Sequence, residues 1–177
     1  MPHSRRRLLI AAASLLAPAA ARASSLEAPN VVAIGPRLTT SGQPGAQALS
    51  RLRELGYEAV VYLAPATVPD AVREEPAILA QQGIEFVHVP IPFGAPSLEH
   101  FDAVNEALQR LRERKVLVHC QVNMRASTMV FLHRVVQLRE DPASAWEDVT
   151  RVWVPHGAWK RLVTDVLARH GVRFAPF

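Results

Sequence analysis

Short apolar runs rich in β-branched residues alternate along this chain with longer stretches whose apolar residues return every three or four positions. The runs Tyr57–Leu63, Ile84–Val89 and Lys115–Val118 read as buried strands. Val31–Ile34 and Arg37–Ser41, separated by Gly35-Pro36, read as a hairpin, preceded by a loose segment over 24–30. The intervening stretches predict helices. Ala48, Leu49, Leu52 and Leu55 share one face of a helix that starts near Pro44 and stops at Gly56. Asp70–Gln82 predicts a second helix, weakened or restarted at Pro76 and stopped by Gly83. Ser97 caps a third that reaches about Arg114, with Leu98, Phe101, Val104, Leu108 and Leu111 on its apolar face. A fourth begins at Arg125 and carries Ala126, Met129, Val130, Leu132, His133 and Val136. The tail, Pro142–Val172, reads as helical segments broken at Pro155-His156-Gly157, with Trp146, Trp153 and Trp159 closing the core.

Alternation of this kind predicts an α/β fold: a mostly parallel central sheet flanked by helices on both faces. Ligands of such sheets bind at the carboxyl ends of the strands. There the pattern places the loops Ala64–Pro69 and Pro90–Pro96 and the turn after Lys115–Val118. A chain of 177 residues that is 49% apolar supports one domain, over 24–177.

Charge changes the picture at the N-terminus. Arg5, Arg6 and Arg7 precede a short apolar stretch from Leu8 to Ala21, and Ala21-Arg22-Ala23 offers a small-x-small cleavage site. Residues 1–23 therefore read as a signal peptide resembling the twin-arginine type, with export to a bacterial periplasm and no stable membrane insertion after cleavage. Removing Arg5, Arg6, Arg7 and Arg22 takes Lys+Arg from 20 to 16, equal to the 16 Asp+Glu. The remaining body is formally neutral, which argues against a nucleic-acid partner.

The chemistry concentrates at Cys120, the single cysteine of the chain. It ends a strand, a polar turn of Gln121, Val122, Asn123 and Met124 follows, and Arg125 opens a helix. Backbone N–H groups of such a turn converge on an anion, and the helix behind adds its positive end. A cysteine in an electropositive setting reacts as its thiolate. An arginine beside it offers a planar fork to two oxygens of an oxyanion. Asn123, tolerant of positive φ, occupies the middle of the turn.

His119-Cys120-x-x-Asn123-x-Arg125-x-Ser127 resembles the signature loop of the protein tyrosine phosphatase superfamily, in particular its small bacterial dual-specificity-like branch. That family separates cysteine and arginine by five residues, whereas this chain has Gln121 to Met124 between them. The shorter spacing is similar to that of the rhodanese sulfurtransferase loop. The order of elements from Pro29 onward, including Ser41-Gly42-Gln43-Pro44 before the first helix, resembles the phosphatases, and the rhodanese segments are missing from the sequence.

The resemblance implies a phosphatase-like fold and hydrolysis of a phosphomonoester, on a protein or a small molecule, without metal or organic cofactor. Cys120 would be the nucleophile. Arg125 and the backbone of Gln121, Val122, Asn123 and Met124 would hold the phosphate, supported by His119 and Ser127. The family's general acid precedes the long helix, yet Pro90–Pro96 contains no acid. Asp70, Glu99 and Asp102 are the candidates. Two alternatives stay open: sulfur transfer through a Cys120 persulfide, and a weakly catalytic anion-binding pseudophosphatase. His133 and His156 have no partner at ligand spacing and read as structural.

Overall fold

A computed structural model describes residues 25–177; the export signal expected over 1–23 lies outside them. In chain order the elements are β1 (Val32–Gly35), β2 (Leu38–Ser41), α1 (Ala46–Leu49), β3 (Ala59–Tyr62), α2 (Glu75–Gln81) and β4 (Glu85–His88). Then come α3 (Leu98–Arg110), β5 (Val116–His119), α4 (Met124–Val136), α5 (Pro142–Thr150) and α6 (Gly157–Arg169). The sheet order is β1-β2-β5-β3-β4, with β1 antiparallel to β2 and every other pairing parallel. The loops that follow β2, β3, β4 and β5 therefore share one edge of the sheet.

The two central strands, β3 and β5, are buried along their whole length. Their side chains alternate between faces, as the period of two requires. Ala59, Val61, Val116 and Val118 enter a core with Phe101 of α3, Met129 of α4, Ala145 of α5 and Trp159 of α6. Val60 and Leu117 enter a second core with Leu49 of α1 and Leu79 of α2. Each such aliphatic side chain contributes roughly 1.5–3 kcal/mol of burial energy. The result is the α/β arrangement the pattern predicted.

Helix α4 lies at the centre and is buried from Arg125 to Val136. Polar residues survive there because each is satisfied. Arg134 donates to Glu140 (2.8 Å) and Asp148 (2.7 Å). Thr128 accepts from the Trp153 indole (3.2 Å). Trp153 and Trp159 are buried, and Trp146 packs edge-on against Phe131 at 4.9 Å.

His133 gives the core a pH dependence. Its Nδ1 faces Asn105 Oδ1 at 2.7 Å, and burial pushes its pKa from 6.5 down to about 4. Both states are neutral above pH 6.5. Between 6.5 and 4 the unfolded chain takes up a proton that the folded chain refuses, so stability falls as pH drops. The full loss is about 3 kcal/mol. Urea midpoints at pH 7 and pH 4.5 check this: His133→Gln should show a clearly smaller acid-side decline than wild type, and equal declines would refute it.

Three expected boundaries shift. The helix expected from Pro44 to Gly56 is regular only over Ala46–Leu49. Beyond it Arg51 and Leu52 donate to the third residue back, and the Ser50 hydroxyl donates to Gln47 O. The helix expected from Asp70 starts at Glu75, with Pro76 in its first turn. That leaves 70–74 as a turn at the sheet edge. α3 ends at Arg110 rather than near Arg114. Of the segment expected to be loose, Pro29 and Asn30 are instead held: Pro29 O accepts from Gly42 N, and Asn30 bonds to Val122 and Asn123 of the cysteine turn. Among the described residues no helix is long and apolar enough to cross a membrane, and no group of His, Cys, Asp and Glu could hold a metal.

Candidate active site

β5 delivers His119 and Cys120 to the common sheet edge, where His119 lies in register with Ser41 of β2 and Tyr62 of β3. The Cys120 side chain is fully buried, and its backbone N–H donates to Ser41 O at 3.3 Å. The chain then turns through Gln121, Val122 and Asn123 into α4. Asn123 caps the helix at φ 72°, in the left-handed region where Asn is among the few tolerated side chains.

The carbonyl groups of this turn are tied away from its centre. Gln121 O accepts from Gln43 N (2.9 Å), Val122 O from the Asn30 amide (3.0 Å), and Asn123 O from Ser127 N (2.9 Å). The buried Asn123 side chain adds anchors, donating to Asn30 O (2.6 Å) and Thr40 Oγ1 (3.0 Å). Among the described residues, the backbone N–H groups of Gln121 to Arg125 make no close hydrogen bond to a protein acceptor, the turn meeting the chain after β2 through the antiparallel Gly42–Val122 bridge. Unpaired N–H groups at the start of a helix, with their carbonyls held outward, form an anion cradle. The close approach of the segment after β2 requires glycine at position 42. A Cβ there would lie 2.7 Å from Gln121 O and 2.8 Å from Pro29 Cβ.

Arg125 is buried at the edge of the cradle. Its Nε–H donates to Ile91 O (2.9 Å), Nη1 donates to Gln121 Oε1 (3.3 Å), and its guanidinium lies 5.1 Å from the Phe93 ring centre. Among the described residues, the remaining N–H groups of the fork have no protein acceptor. Trp159 Nε1 donates to Phe93 O (2.8 Å), which pins the Pro90–Pro96 loop over Arg125. An aromatic ring thus stands in the loop where the resemblance led one to look for an acid.

Of the three candidate acids, Asp70 alone bonds to the turn: the Gln121 amide donates to its Oδ1 at 2.8 Å. Gln121 therefore joins Asp70 to Arg125. Glu99 sits exposed in the first turn of α3, where a hydrogen bond from Ser97 holds its carboxyl below the usual range, the wrong direction for a proton donor. Asp102 pairs with Arg169 of α6 at 3.1 Å. Ser127 donates to Met124 O (3.3 Å) inside its own helix turn rather than to Cys120.

His119 points to the opposite face of β5 from Cys120. Its ring stacks on Tyr62 at 4.8 Å, and its Nε2 lies 2.6 Å from Glu75 Oε1, both side chains being buried. Burial pushes the Tyr62 phenol up to about 12, with the charges of Glu75, Asp70 and Cys120 adding and Arg125 opposing. Sequence reasoning missed Glu75, Asn30 and Phe93, and named Gln43 only as part of the turn before the first helix. Glu75 before Pro76 carries the signature of an ordinary helix start, and partners 32 and 44 positions away leave no local pattern.

Residues 24–154 match the model of the family described as DSP-PTPase phosphatase fused to NAD+ kinase. The chain belongs to this family. A DUF442 protein of Shewanella putrefaciens CN-32, named as a phosphatase, is 28% identical with a TM-score of 0.73, over 81% of this chain and 95% of that one. Tk-PTP in its active form is 26% identical with a TM-score of 0.62, over 82% and 99%. TpbA of P. aeruginosa, 22% identical with a TM-score of 0.63 over 82% and 92%, shares the fold. No curated protein matches the sequence. The DSP-PTPase membership makes this a phosphatase-like protein of the tyrosine phosphatase superfamily.

Proposed function

We propose that the protein hydrolyses phosphomonoesters through a cysteinyl-phosphate on Cys120. The observation that carries this is the cradle: unpaired backbone N–H groups from Gln121 to Arg125 surround the end of β5, with Arg125 beside them. The phosphate sits in the cradle, its oxygens shared between these N–H groups and the free side of the Arg125 fork. The Cys120 thiolate attacks phosphorus. As the P–S bond forms, the P–O bond to the leaving group breaks, and the leaving oxygen takes a proton from Asp70. Water then attacks phosphorus with Asp70 accepting its proton, the P–S bond breaks, and inorganic phosphate and the thiolate are released.

Asp70 fits this role because Gln121 ties it to the cradle, and because Pro90–Pro96 supplies no acid. The substrate is a phosphorylated small molecule or protein. Residues 1–23 are proposed as a cleaved export signal and the periplasm as the location; mass spectrometry of the chain recovered from a bacterial periplasm should show an N-terminus at Ser24.

The test uses residues 24–177 and two aryl phosphates. Compared by kcat/KM, which covers formation of the cysteinyl-phosphate but not its hydrolysis, p-nitrophenyl phosphate, whose leaving group needs little protonation, should be handled similarly by wild type and Asp70→Asn. Phenyl phosphate should be hydrolysed about 10²-fold more slowly by Asp70→Asn. Equal rates on both substrates would remove Asp70 from the mechanism. Persulfide formation from thiosulfate without any ester hydrolysis would replace the phosphatase reading with sulfur transfer, which the Cys-x4-Arg spacing also suits.

A further inference from the structure

We infer that Glu75 is a positioning residue that holds the nucleophile in place from both chain directions. Its carboxylate is 2% exposed. Oε1 meets His119 Nε2 at 2.6 Å, and Oε2 accepts from Gln43 Nε2 at 3.0 Å. His119 is the residue before Cys120. Gln43, through its backbone N–H, binds the carbonyl of Gln121, the residue after it (2.9 Å). One carboxylate therefore brackets Cys120, directly on one side and through Gln43 on the other.

With its ring proton on Nε2, His119 donates to the Glu75 carboxylate oxygen. Among the described residues, His119 Nδ1 and Gln43 Oε1 are buried without partners and Gln43 Nε2 adds only a 3.3 Å bond to Pro44 O, which leaves Glu75 as the principal polar restraint on both side chains. Tyr62, from β3, stacks on the His119 ring, and Arg73 and His88 line the same cavity as Glu75. A buried carboxylate is expensive to desolvate and is retained only where several groups satisfy it. Here its partners are the two segments that clamp the cysteine turn. The position in the first turn of α2 further suits a negative charge.

This inference rests on Cys120 being the reactive thiol, and its test does not need turnover. Because Cys120 is the single cysteine, its alkylation by iodoacetate, an anionic reagent that the cradle should attract, reports one site. Glu75→Ala should slow alkylation and reduce kcat on p-nitrophenyl phosphate about 10–100-fold, as loss of a supporting shell does. Glu75→Gln should stay within about threefold of wild type. With the Gln43 amide turned over, its oxygen accepts from the new amide, so both bonds to residue 75 are kept and only the longer bond from Gln43 Nε2 to Pro44 O (3.3 Å) is given up. Val149→Ala, a core truncation in α5, should lower the melting temperature and leave alkylation unchanged. That separates positioning from general loss of stability.

A folded Glu75→Ala protein with both rates near wild type would overturn the proposal, as would a folded Glu75→Gln protein as slow as Glu75→Ala. Should Glu75→Ala not fold, Gln43→Ala carries the test: a slowed alkylation supports the proposal and a wild-type rate overturns it. A wild type that alkylates in this Glu75-dependent way but hydrolyses no phosphomonoester would sink the phosphatase reading alone.

Discussion

Cys120→Ser is expected to reduce hydrolysis of p-nitrophenyl phosphate by on the order of 10⁴–10⁶-fold while leaving phosphate bound. The two halves of this result have different physical origins. Turnover needs a sulfur nucleophile, and no second cysteine exists to substitute for it. Anion binding comes from the N–H groups of Gln121 to Arg125 and from the Arg125 fork, none of which involves the sulfur. The smaller serine side chain fits the fully buried site of Cys120 without a steric change. Steady-state assay with titration calorimetry of inorganic phosphate reads both halves. Loss of phosphate binding along with turnover would mean that the variant had disturbed the cradle itself.

Arg125→Lys is expected to lower kcat/KM about 10²–10³-fold, the range for removing a preorganised oxyanion donor. Charge is conserved in this variant, so the loss reports geometry. Lysine cannot donate from a planar fork to Ile91 O and Gln121 Oε1 together, and it loses the face-on contact with Phe93. Freed from Arg125, Gln121 also loses one of its two restraints and holds Asp70 less firmly. Part of the loss should then appear in kcat and part in KM, whereas a residue supplying only charge would show a near-normal kcat. Kinetics within threefold of wild type would contradict the clamp.

The central strands β3 and β5 were legible in the sequence as short valine-rich apolar runs, because both of their faces are buried. α3 was legible through Ser97 and its apolar stripe; the structure adds a capping box with His100. The region between Pro44 and Gly56 was overread. Leu49 and Leu52 are both buried, which a helix and a string of tight turns satisfy equally, so periodicity alone did not distinguish them. Around Cys120 the sequence showed which residue types stand together along the chain. It did not show the restraints from Asn30, Gly42, Gln43 and Glu75, because these come from distant segments: Asn30 from before β1, which runs antiparallel to β2, Gly42 and Gln43 from the end of β2 beside β5, and Glu75 from the start of α2. The acid candidates divide for the same reason. Asp70 sits on a strand-end loop at the shared edge, while Asp102 faces α6 and Glu99 is exposed on α3.

The central claim is that a phosphoryl group is transferred to the Cys120 sulfur. Residues 24–177 should be mixed rapidly with p-nitrophenyl phosphate at mildly acidic pH, quenched in acid after a few milliseconds, and examined by intact-protein and peptide mass spectrometry. The account predicts a phosphate adduct on the peptide containing Cys120, formed in step with a burst of nitrophenol and missing from Cys120→Ser. Hydrolysis without an adduct on that peptide, or an adduct that persists in Cys120→Ser, would contradict it.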